Sequence, residues 1–445
     1  MATNSKKITE EIKITPEDFL QIKENVTNIP SFGEEIEMSL GERTTEVLAK
    51  ILGGSVALGV SDIHFEPKKG NSKIRVRSDG ILQEVVELDH KVYNKLISRI
   101  KLVSELKLNI KDKPQDGRFS IALPEDPDNA ITKYYTVEVR VSVLPSEYGE
   151  TLVLRILDPK SLISFKKLGL RADLLELFEK QMNQPNGMVI VTGPTGSGKT
   201  TTLYAFLKEI ENPQNKVITI EDPIEYHLSG ISQTQVAPEK DYTFANGLRS
   251  VMRQDPDVIL VGEIRDLETA TIALQAALTG HLVFSTLHTN SAAGTIPRLQ
   301  ALGEKAVNIA PAINLAIAQR LIRKVCDNCK KERKTTEEEI KEIKKALKGI
   351  PDKADKPKID SNFKIAEATG CKECNNTGYS GRIGLFEALI VDDEIKKFIL
   401  ESPSTTALKE KALKKGMTTI YQDGILKLAK GLTTIEEIER ITGQR

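Results

Sequence analysis

The segment from Gly193 to Thr200 has the residue types and the spacing of a phosphate-binding loop. It matches the pattern G-x-x-x-x-G-K-[ST], with the apolar run MVIVT before it and the helix-like run TTLYAFLKEI after it. Glycines let the backbone approach phosphate oxygens closely, Lys199 would reach the β- and γ-phosphates, and Thr200 would ligate Mg²⁺. A Gly-rich turn that matches by chance is the weaker alternative, because both flanks are correct. The predicted nucleotide-binding residues are Gly193, Pro194, Thr195, Gly196, Ser197, Gly198, Lys199, Thr200 and Thr201.

Acidic and polar side chains follow three further short apolar runs, VITI, VILV and LVFS. Glu225 follows the first run, Glu263 the second and His288 the third. Because ligands bind at the carboxyl ends of strands in an open α/β sheet, we expect these side chains to converge on the phosphate loop. ATP hydrolysis needs a Mg²⁺ ligand and a group that orients or deprotonates water, and Glu225 and Glu263 are the candidates.

His281 and His288 flank the last of these runs. A lone histidine is usually structural, whereas one that contacts a γ-phosphate would sense the state of the nucleotide. Asp266 stands just before LETATIALQAALTG, where a helix N-cap is the simpler explanation of a single acid.

Four cysteines form two C-x-x-C pairs, Cys326 with Cys329 and Cys371 with Cys374, separated by 41 residues. Paired motifs of this kind predict a tetrahedral zinc site with four thiolate ligands and no open position, so that the metal would be structural. Free thiols or a redox C-x-x-C are the alternatives. The charged segment between the pairs would loop out from the site.

Two arginines come into register in a predicted pair of strands. If Pro145–Glu150 forms the loop between YYTVEVRVSVL and TLVLRIL, Arg140 lies directly opposite Arg155. Two arginines across from each other repel unless an anion or a carboxylate sits between them, which raises the prospect of an anion site. The alternative is a pair of solvated arginines beside acids such as Glu138.

The elements that must position these residues predict an α/β protein of several domains. Residues 1–42 are polar and weakly patterned, and we expect a flexible tail there. Residues 43–162 alternate helices and sheet segments, and predict an N-terminal α/β domain. Residues 165–445 carry short buried strands between helices, which is typical of a doubly wound α/β domain. Within it, 326–376 form the cysteine element and 390–445 a helical C-terminal part.

Composition excludes several classes of protein. The 445 residues carry 63 basic and 63 acidic side chains, and this zero net charge disfavours general nucleic-acid binding. No apolar run approaches the roughly 18 residues of a membrane span, and the start of the chain lacks the hydrophobic region of a signal peptide. With only four cysteines, a disulfide framework is not expected.

Many segments match one known family in the same order, from about residue 45 to the C-terminus. They closely resemble the secretion and pilus traffic ATPases, the hexameric motors of type II secretion and type IV pilus assembly. The matching segments are SDIHFEP, KDKPQDGRF, VEVRVSVLPSEYGETLVLRIL, GPTGSGKTTTLY, ITIEDPIEY, LRSVMRQDPDVILVGEIRD, TGHLVFSTLHTN, AQRLIRKVCDNC and GCKECNNTGYSGRIGLFE.

The resemblance implies a RecA-like P-loop ATPase domain preceded by a smaller PAS-like α/β domain. Lys199 and Thr200 would hold the phosphates and Mg²⁺. Glu225, in ITIEDPIEY, resembles the residue that activates water, and Glu263 resembles the Walker B acid that supports Mg²⁺.

The same resemblance assigns the remaining candidates. His281 and His288 match the histidine box, and Arg140 and Arg155 match arginines of the N-terminal domain that reach a nucleotide. Arg118, in QDGRF, is a further candidate of the same kind. An arginine that neutralises charge in the transition state can raise the rate by several orders of magnitude.

The implied cofactors are ATP, Mg²⁺ and a structural Zn²⁺. The implied partners are five further copies in a homohexamer and a polytopic platform protein of the inner membrane, with a cytoplasmic location at that membrane. The cysteine element resembles that of assembly-type members, which favours extension or secretion over retraction. We expect the chain to lack the extra N-terminal domain with which larger members dock to a membrane-anchored recruiting protein.

Two other functions are weighed against this one. A RecA-like translocase acting on nucleic acid would line its pore with basic or aromatic residues, and the neutral charge and absence of tryptophan disfavour it. A degenerate scaffold that binds nucleotide without hydrolysing it is disfavoured by the intact acids Glu225 and Glu263.

Overall fold

The computed structural model describes residues 11–129, 132–354 and 356–443. The chain divides into two compact units. One comprises the described part of Met1–Ser161 together with Gly370–Gly378, and the other comprises Leu162–Thr369 with the described part of Tyr379–Arg445. No helix among the described residues is both long enough and apolar enough to cross a membrane.

The first unit is built on one seven-stranded sheet with helices packed against its apolar face. Its elements are β1 (Glu11–Lys13), α1 (Pro16–Asn25), α2 (Ile29–Ser39), α3 (Thr44–Ala57), β2 (Asp62–Pro67), β3 (Ser72–Ser78), β4 (Ile81–Leu88), α4 (His90–Val103), β5 (Gln115–Pro124), β6 (Tyr134–Ser146) and β7 (Gly149–Leu157). The strand order is β1-β5-β6-β7-β2-β3-β4, and every neighbouring pair is antiparallel except β1 with β5.

The prediction of a flexible tail over residues 1–42 is wrong for residues 11–42, which form β1, α1 and α2. Phe19 and Ile22 of α1 and Phe32 and Ile36 of α2 are buried in the core of the first unit. These residues stand three or four apart, so each pair lies on one helix face. Most of the charged residues around them are exposed, and their number makes the helical spacing of these few apolar residues hard to detect in the sequence. Residues 1–10 lie outside the described residues.

The predicted register of β6 and β7 is confirmed. Arg140 pairs with Arg155, and the alternate valines of β6 are buried in the core with the alternate apolar residues of β7. The predicted six-residue loop is wrong, because pairing continues to Ser146 opposite Gly149 and leaves a two-residue turn. The turn is shorter than predicted. The register is nevertheless the predicted one, because β6 and β7 are each extended by the same number of residues toward the turn.

The second unit has the predicted doubly wound α/β organisation. Its elements are α5 (Ala172–Met182), β8 (Gly187–Thr192), α6 (Lys199–Ile210), β9 (Val217–Glu221), β10 (Ser232–Gln235), α7 (Phe244–Met252), β11 (Val258–Val261), α8 (Leu267–Leu278), β12 (Leu282–Leu287), α9 (Thr295–Leu302), α10 (Ala306–Ala312), β13 (Ile313–Val325), β14 (Lys331–Lys334), α11 (Glu337–Leu347), β15 (Lys364–Glu367), β16 (Tyr379–Ile390), α12 (Asp393–Leu400), α13 (Thr405–Lys414), α14 (Ile420–Ala429) and α15 (Ile435–Thr442).

The main sheet of this unit has the order β10-β9-β11-β12-β8-β13-β16, and only β16 runs antiparallel to its neighbour. The central strands are buried on both faces by two separate clusters of apolar side chains. Because the parallel strands share one direction, the loops that follow β8, β9, β11 and β12 all emerge at one edge. This edge is where the predicted catalytic residues should meet.

A buried ion network fastens α14 to the body of this unit. Asp423 is fully buried, its Oδ1 lies 2.7 Å from Nη1 of Arg171, and its Oδ2 lies 2.6 Å from Nζ of Lys427. Burial alone would raise the pKa of Asp423, but Lys427 and Arg171 outweigh it and the pKa is lowered. The backbone N–H of Phe386 also donates to Asp423, which ties the helix to β16.

Candidate active site

The phosphate loop joins β8 to α6 and approaches β13 too closely for side chains. Gly193 has φ of 156° and Gly198 has φ of 85°, in the region that favours glycine. A Cβ on Gly193 would lie 2.6 Å from the carbonyl oxygen of Gln319, and one on Gly198 would lie 2.9 Å from Nε2 of the same residue. The neighbouring strand therefore requires both glycines, through its backbone at Gly193 and through the Gln319 side chain at Gly198.

Lys199 begins α6 and folds back over the loop. Its Nζ donates to the carbonyl oxygens of Gly193 at 3.0 Å and Pro194 at 3.2 Å. Burial lowers the pKa of Lys199 and the positive charge of Arg320 acts in the same direction, whereas Glu263 opposes them. The ammonium group can exchange these two carbonyl partners for phosphate oxygens, which are stronger acceptors because they are charged.

The other predicted loop residues line the same stretch of chain. Residues 194–196 are exposed, Ser197 is buried, and Thr200 and Thr201 are half-buried in the first turn of α6. The Ser197 hydroxyl has no hydrogen-bond partner among the described residues, a condition that costs about 1–3 kcal/mol in a buried site. A loop of glycines with an unused buried hydroxyl and a lysine at the helix start fits a nucleotide phosphate.

Glu263 and His288 meet at the same edge of the sheet. Nε2 of His288 lies 3.7 Å from Oε2 of Glu263, and Arg265 forms an ion pair with Oε1 of Glu263. Partial burial and the charge of Lys199 lower the pKa of His288, so the imidazole is held toward its neutral form. The carboxylate of Glu263 also interacts electrostatically with Lys199, and a carboxylate is a ligand that Mg²⁺ accepts.

The acidic segment that holds Glu225 is anchored by a tyrosine. Tyr204 of α6 donates a hydrogen bond to Oε2 of the buried Glu221, and the backbone N–H of Glu225 donates to the Tyr204 hydroxyl at 3.3 Å. Thr219 and Gln233 donate to the other oxygen of Glu221 at 2.5 Å and 3.1 Å. Burial beside Glu221 raises the pKa of Tyr204, which keeps the phenol a donor. Glu225 is thereby fixed after β9, at the edge where the phosphate loop lies.

The structure does not bring His281 to this site. His281 precedes β12, and its carbonyl oxygen accepts a hydrogen bond from Gly187 at the start of β8. A strand of this length spans about 20 Å, so His281 and His288 lie at opposite ends of it. The Nδ1 of His281 donates to the carbonyl oxygen of Ala276 at 3.0 Å, near the end of α8. The structure therefore separates His281 from His288, and a catalytic role of His281 stays a prediction.

The first unit places Arg118, Arg140 and Arg155 side by side on three adjacent strands. Asp62 of β2 is next in the row, and its Oδ1 accepts a hydrogen bond from Nε of Arg155 at 3.0 Å. Arg77 of β3 follows, with Nε 3.8 Å from Oδ2 of Asp62. The row has four cations and one anion on the sheet face opposite the buried valines, and this excess of positive charge suits an anionic ligand.

The four cysteines form one cluster, with all Sγ atoms within 4.8 Å of one another and no disulfide. Tetrahedral zinc with Zn–S bonds of about 2.3 Å needs sulfurs about 3.8 Å apart. The Sγ atoms of Cys371 and Cys374 are 3.7 Å apart. The N–H groups of Cys371 and Gly378 lie 3.1 Å and 3.3 Å from Sγ of Cys374, which favours the thiolate. Cys326 and Cys329 complete a donor set that fits structural zinc.

Zinc analysis of the purified, reduced protein is expected to give about one zinc per chain. Cys371→Ser should abolish most of the bound zinc and lower the melting temperature, because one thiolate ligand is lost. Asp327→Asn, an exposed residue between the first two cysteines, is the matched control and should retain the metal. A folded, reduced protein with well under one zinc per chain would contradict the assignment.

Two residues of the site have weak signals in the sequence. Tyr204 lies within the apolar face of α6. Its hydroxyl, in an otherwise apolar stretch, is the one sequence feature that suggests a role in the site. Gln319 belongs to an apolar strand and faces the phosphate loop only because β13 runs beside β8. Such contacts depend on strand order, which the local pattern does not specify.

Residues 41–440 match the family model described as "Type II/IV secretion system protein". The chain belongs to this family. One member, the type II secretion system ATPase E of Vibrio cholerae, is 39% identical over 442 residues, which cover 99% of this chain and 83% of the relative. Another, the type IV pilus assembly ATPase PilB of Pseudomonas aeruginosa, is 41% identical over 394 residues, which cover 88% of this chain and 66% of the relative.

Solved structures of this family's fold agree. The pilus retraction motor PilT with bound ADP is 28% identical, with a TM-score of 0.57 over 88% of this chain and 96% of that one. The Legionella pneumophila ATPase DotB, at 23% identity, shows the same fold with a TM-score of 0.63 over 88% of this chain and 94% of that one.

These findings confirm the family resemblance, the P-loop α/β fold and the assignment of the chain as an ATPase of the secretion family. ATP and Mg²⁺ are the cofactors that this activity implies. The nucleic-acid translocase is not favoured by the relatives.

Proposed function

We propose that this ATPase forms a homohexamer that powers the assembly of type IV pili or of a type II secretion pseudopilus through a platform protein of the inner membrane. The observation that carries the proposal is the cluster of Lys199, Glu263 and His288 at the phosphate loop of a family member. Relatives named for both machines support the two alternatives equally. The hexamer would work in the cytoplasm, at the inner face of the membrane.

Within the site, each residue has a separate proposed task. Lys199 and the loop N–H groups bind the β- and γ-phosphates, and Thr200 and Glu263 support Mg²⁺. Glu225 orients or deprotonates the attacking water, since its backbone is fixed by Tyr204 while its carboxylate remains half-buried at the sheet edge.

The arginine row of the first unit is proposed to stabilise negative charge on the transferred phosphate. Arg155 is 56% exposed although it is oriented by Asp62, so its guanidinium remains accessible to a ligand. Arg140 lies near Glu138, with its Nε 3.9 Å from that carboxylate, and Arg118 continues the row. A guanidinium carries five N–H donors in a planar fork, which matches the geometry of phosphate oxygens.

Arg155→Ala is expected to lower kcat by about 1,000-fold, because an arginine on a transferring phosphate contributes about 10³–10⁵. Steady-state hydrolysis and nucleotide binding should be measured together, and binding should change much less than kcat. Lys91→Ala, an exposed cation on α4 of the same unit, is the control and should retain wild-type turnover. Equal turnover in Arg155→Ala and the control would remove this arginine from the mechanism.

One further feature supports an assembly role. The four-cysteine element resembles that of extension-type members, which favours assembly over retraction. A membrane-anchored recruiting protein is a further proposed partner.

The function as a whole is tested in a strain that lacks the gene. Complementation with the wild-type gene should restore surface pili or secretion of exoproteins, and complementation with Lys199→Ala should not. Electron microscopy of the cell surface and assay of the culture medium separate the two machines. Normal pili and normal secretion in the deleted strain would overturn the proposal.

A further inference from the structure

The loop that follows β12 carries His288 and is held by Arg320, a residue with no role assigned so far. Nη2 of Arg320, on β13, donates to the carbonyl oxygen and to Oδ1 of Asn290, both at 3.3 Å. Its Nη1 donates to the carbonyl oxygen of Gln319 at 2.9 Å. The planar guanidinium therefore joins this loop to the strand beside the phosphate loop.

Glu387 of β16 holds the same loop at a second point. Its side chain is only 3% exposed, and its Oε1 accepts a hydrogen bond from the backbone N–H of Ala292 at 2.8 Å. The backbone N–H of Ile420, at the start of α14, also favours the charged carboxylate. Burial raises the pKa of Glu387, while these two N–H groups and the charges of Lys409 and Arg320 act against burial.

The two charged side chains share one face of the sheet. Glu387 pairs with Ala318, and Arg320 stands two residues further along β13, so the register makes them diagonal neighbours. The loop is fixed from a third side by Thr192, the last residue of β8, whose Oγ1 accepts a hydrogen bond from the N–H of Thr289 at 2.8 Å. Segment 289–292 is thus attached to three neighbouring strands.

The position of His288 depends on these attachments. Its Nε2 lies 3.7 Å from Glu263, and it precedes the first attached residue directly. A displacement of about 1 Å in a catalytic site can reduce the rate about 100-fold, so a loop released at one point changes turnover without losing any group that contacts nucleotide.

We propose that Arg320 and Glu387 are positioning residues of the ATPase reaction, which hold the loop at 289–292 so that His288 stays beside Glu263. The inference rests on the proposed function, which places His288 and Glu263 at the phosphates. Arg320 acts through Asn290, and Glu387 acts through Ala292. The geometry of their hydrogen bonds carries the effect, and their charge is secondary.

A double-mutant cycle tests the role of Arg320. We expect Arg320→Ala to lower kcat about tenfold and to change the KM for ATP less than about threefold, because the phosphate loop itself is intact. His288→Ala alone should also lower kcat. In the His288→Ala background, Arg320→Ala should lower kcat less than about twofold, since the group that it positions is already absent.

Conservative variants separate geometry from charge. Arg320→Lys keeps the positive charge but lacks the planar fork that reaches two acceptors, and it should be nearly as impaired as Arg320→Ala. Glu387→Gln keeps an oxygen that can accept the N–H of Ala292, and it should lower kcat less than about threefold. Lys324→Ala, a cation further along β13, is the matched control and should turn over like the wild type.

Each outcome has one meaning. Equal losses from Arg320→Ala in both backgrounds would overturn the inference and leave the proposed function intact. Full recovery in Arg320→Lys would show a role for charge alone and would also overturn it. If His288→Ala hydrolyses ATP normally, both the role of His288 in the proposed function and the positioning role fail. The melting temperatures of the variants should stay within a few degrees of wild type. A large fall in the melting temperature of Glu387→Gln alone would show that Glu387 stabilises the fold and does not position the loop.

Discussion

Lys199→Ala is expected to lower kcat for ATP hydrolysis at least about 100-fold, the scale on which loss of a single electrostatic donor acts. The ammonium group now donates to two carbonyl oxygens of the loop, and it has no other hydrogen-bond acceptor among residues 11–129, 132–354 and 356–443. Replacing the whole side chain with a methyl group removes the cation from the phosphates, while the six-residue strand β8 and the glycines that shape the loop remain. The measurement is steady-state phosphate release with purified protein.

The control lies on the same helix. Lys208 is exposed near the end of α6, so Lys208→Ala removes a lysine of equal charge from the same element and should leave turnover unchanged. Circular dichroism should show equal folding for both variants. Comparable hydrolysis by Lys199→Ala and Lys208→Ala would remove Lys199 from the site.

Glu225→Gln is expected to lower kcat by about 10²–10⁴ while nucleotide binding remains, because general-base assistance contributes on that scale. The amide keeps the shape of the side chain and leaves the backbone hydrogen bond to Tyr204 in place. Single-turnover hydrolysis with a fluorescent nucleotide separates the loss of chemistry from any loss of affinity. Glu209→Gln, an exposed acid on α6, is the matched control.

Glu263→Gln distinguishes the two acids. If Glu263 supports Mg²⁺, its amide variant should need a higher Mg²⁺ concentration for half-maximal activity, whereas Glu225→Gln should keep the wild-type Mg²⁺ dependence. The Glu263 side chain also pairs with Arg265, so loss of charge there frees that arginine. The same Mg²⁺ dependence in both variants would contradict the division of roles.

Local sequence patterns predict a part of the protein when a single segment supplies both the functional residues and the structure that positions them. The phosphate loop is such a segment, since its glycines, lysine and helix start occur within eight residues. The β6–β7 pair is another, because alternation on both strands leaves one register that buries the valines of β6 on the same face as Leu152, Leu154 and Ile156 of β7. Asp79-Gly80 likewise predicts the hairpin between β3 and β4, and both residues have the positive φ that such a turn needs.

Contacts between distant segments were beyond prediction. Arg320 meets Asn290 only because β13 and β12 lie on either side of β8. The helices over residues 11–42 are stabilised by burial against a sheet formed later in the chain, which a polar segment does not reveal locally. His281 shares a short motif with His288, yet the strand between them places the two side chains at opposite ends.

The insertion between the two cysteine pairs has a consequence for the synthesis of the chain. Its helix α11 and strand β15 bury apolar side chains against α14 and α15, which are made last, and its two ends meet at the cysteines and in the adjoining β14–β15 pair. At about 5–20 residues per second, the 41 residues between the pairs take about 2–8 s to translate. During that interval Cys326 and Cys329 emerge from the ribosome without their partners. A shortage of zinc would therefore lower the yield of newly folded chains, while chains already assembled would keep their turnover.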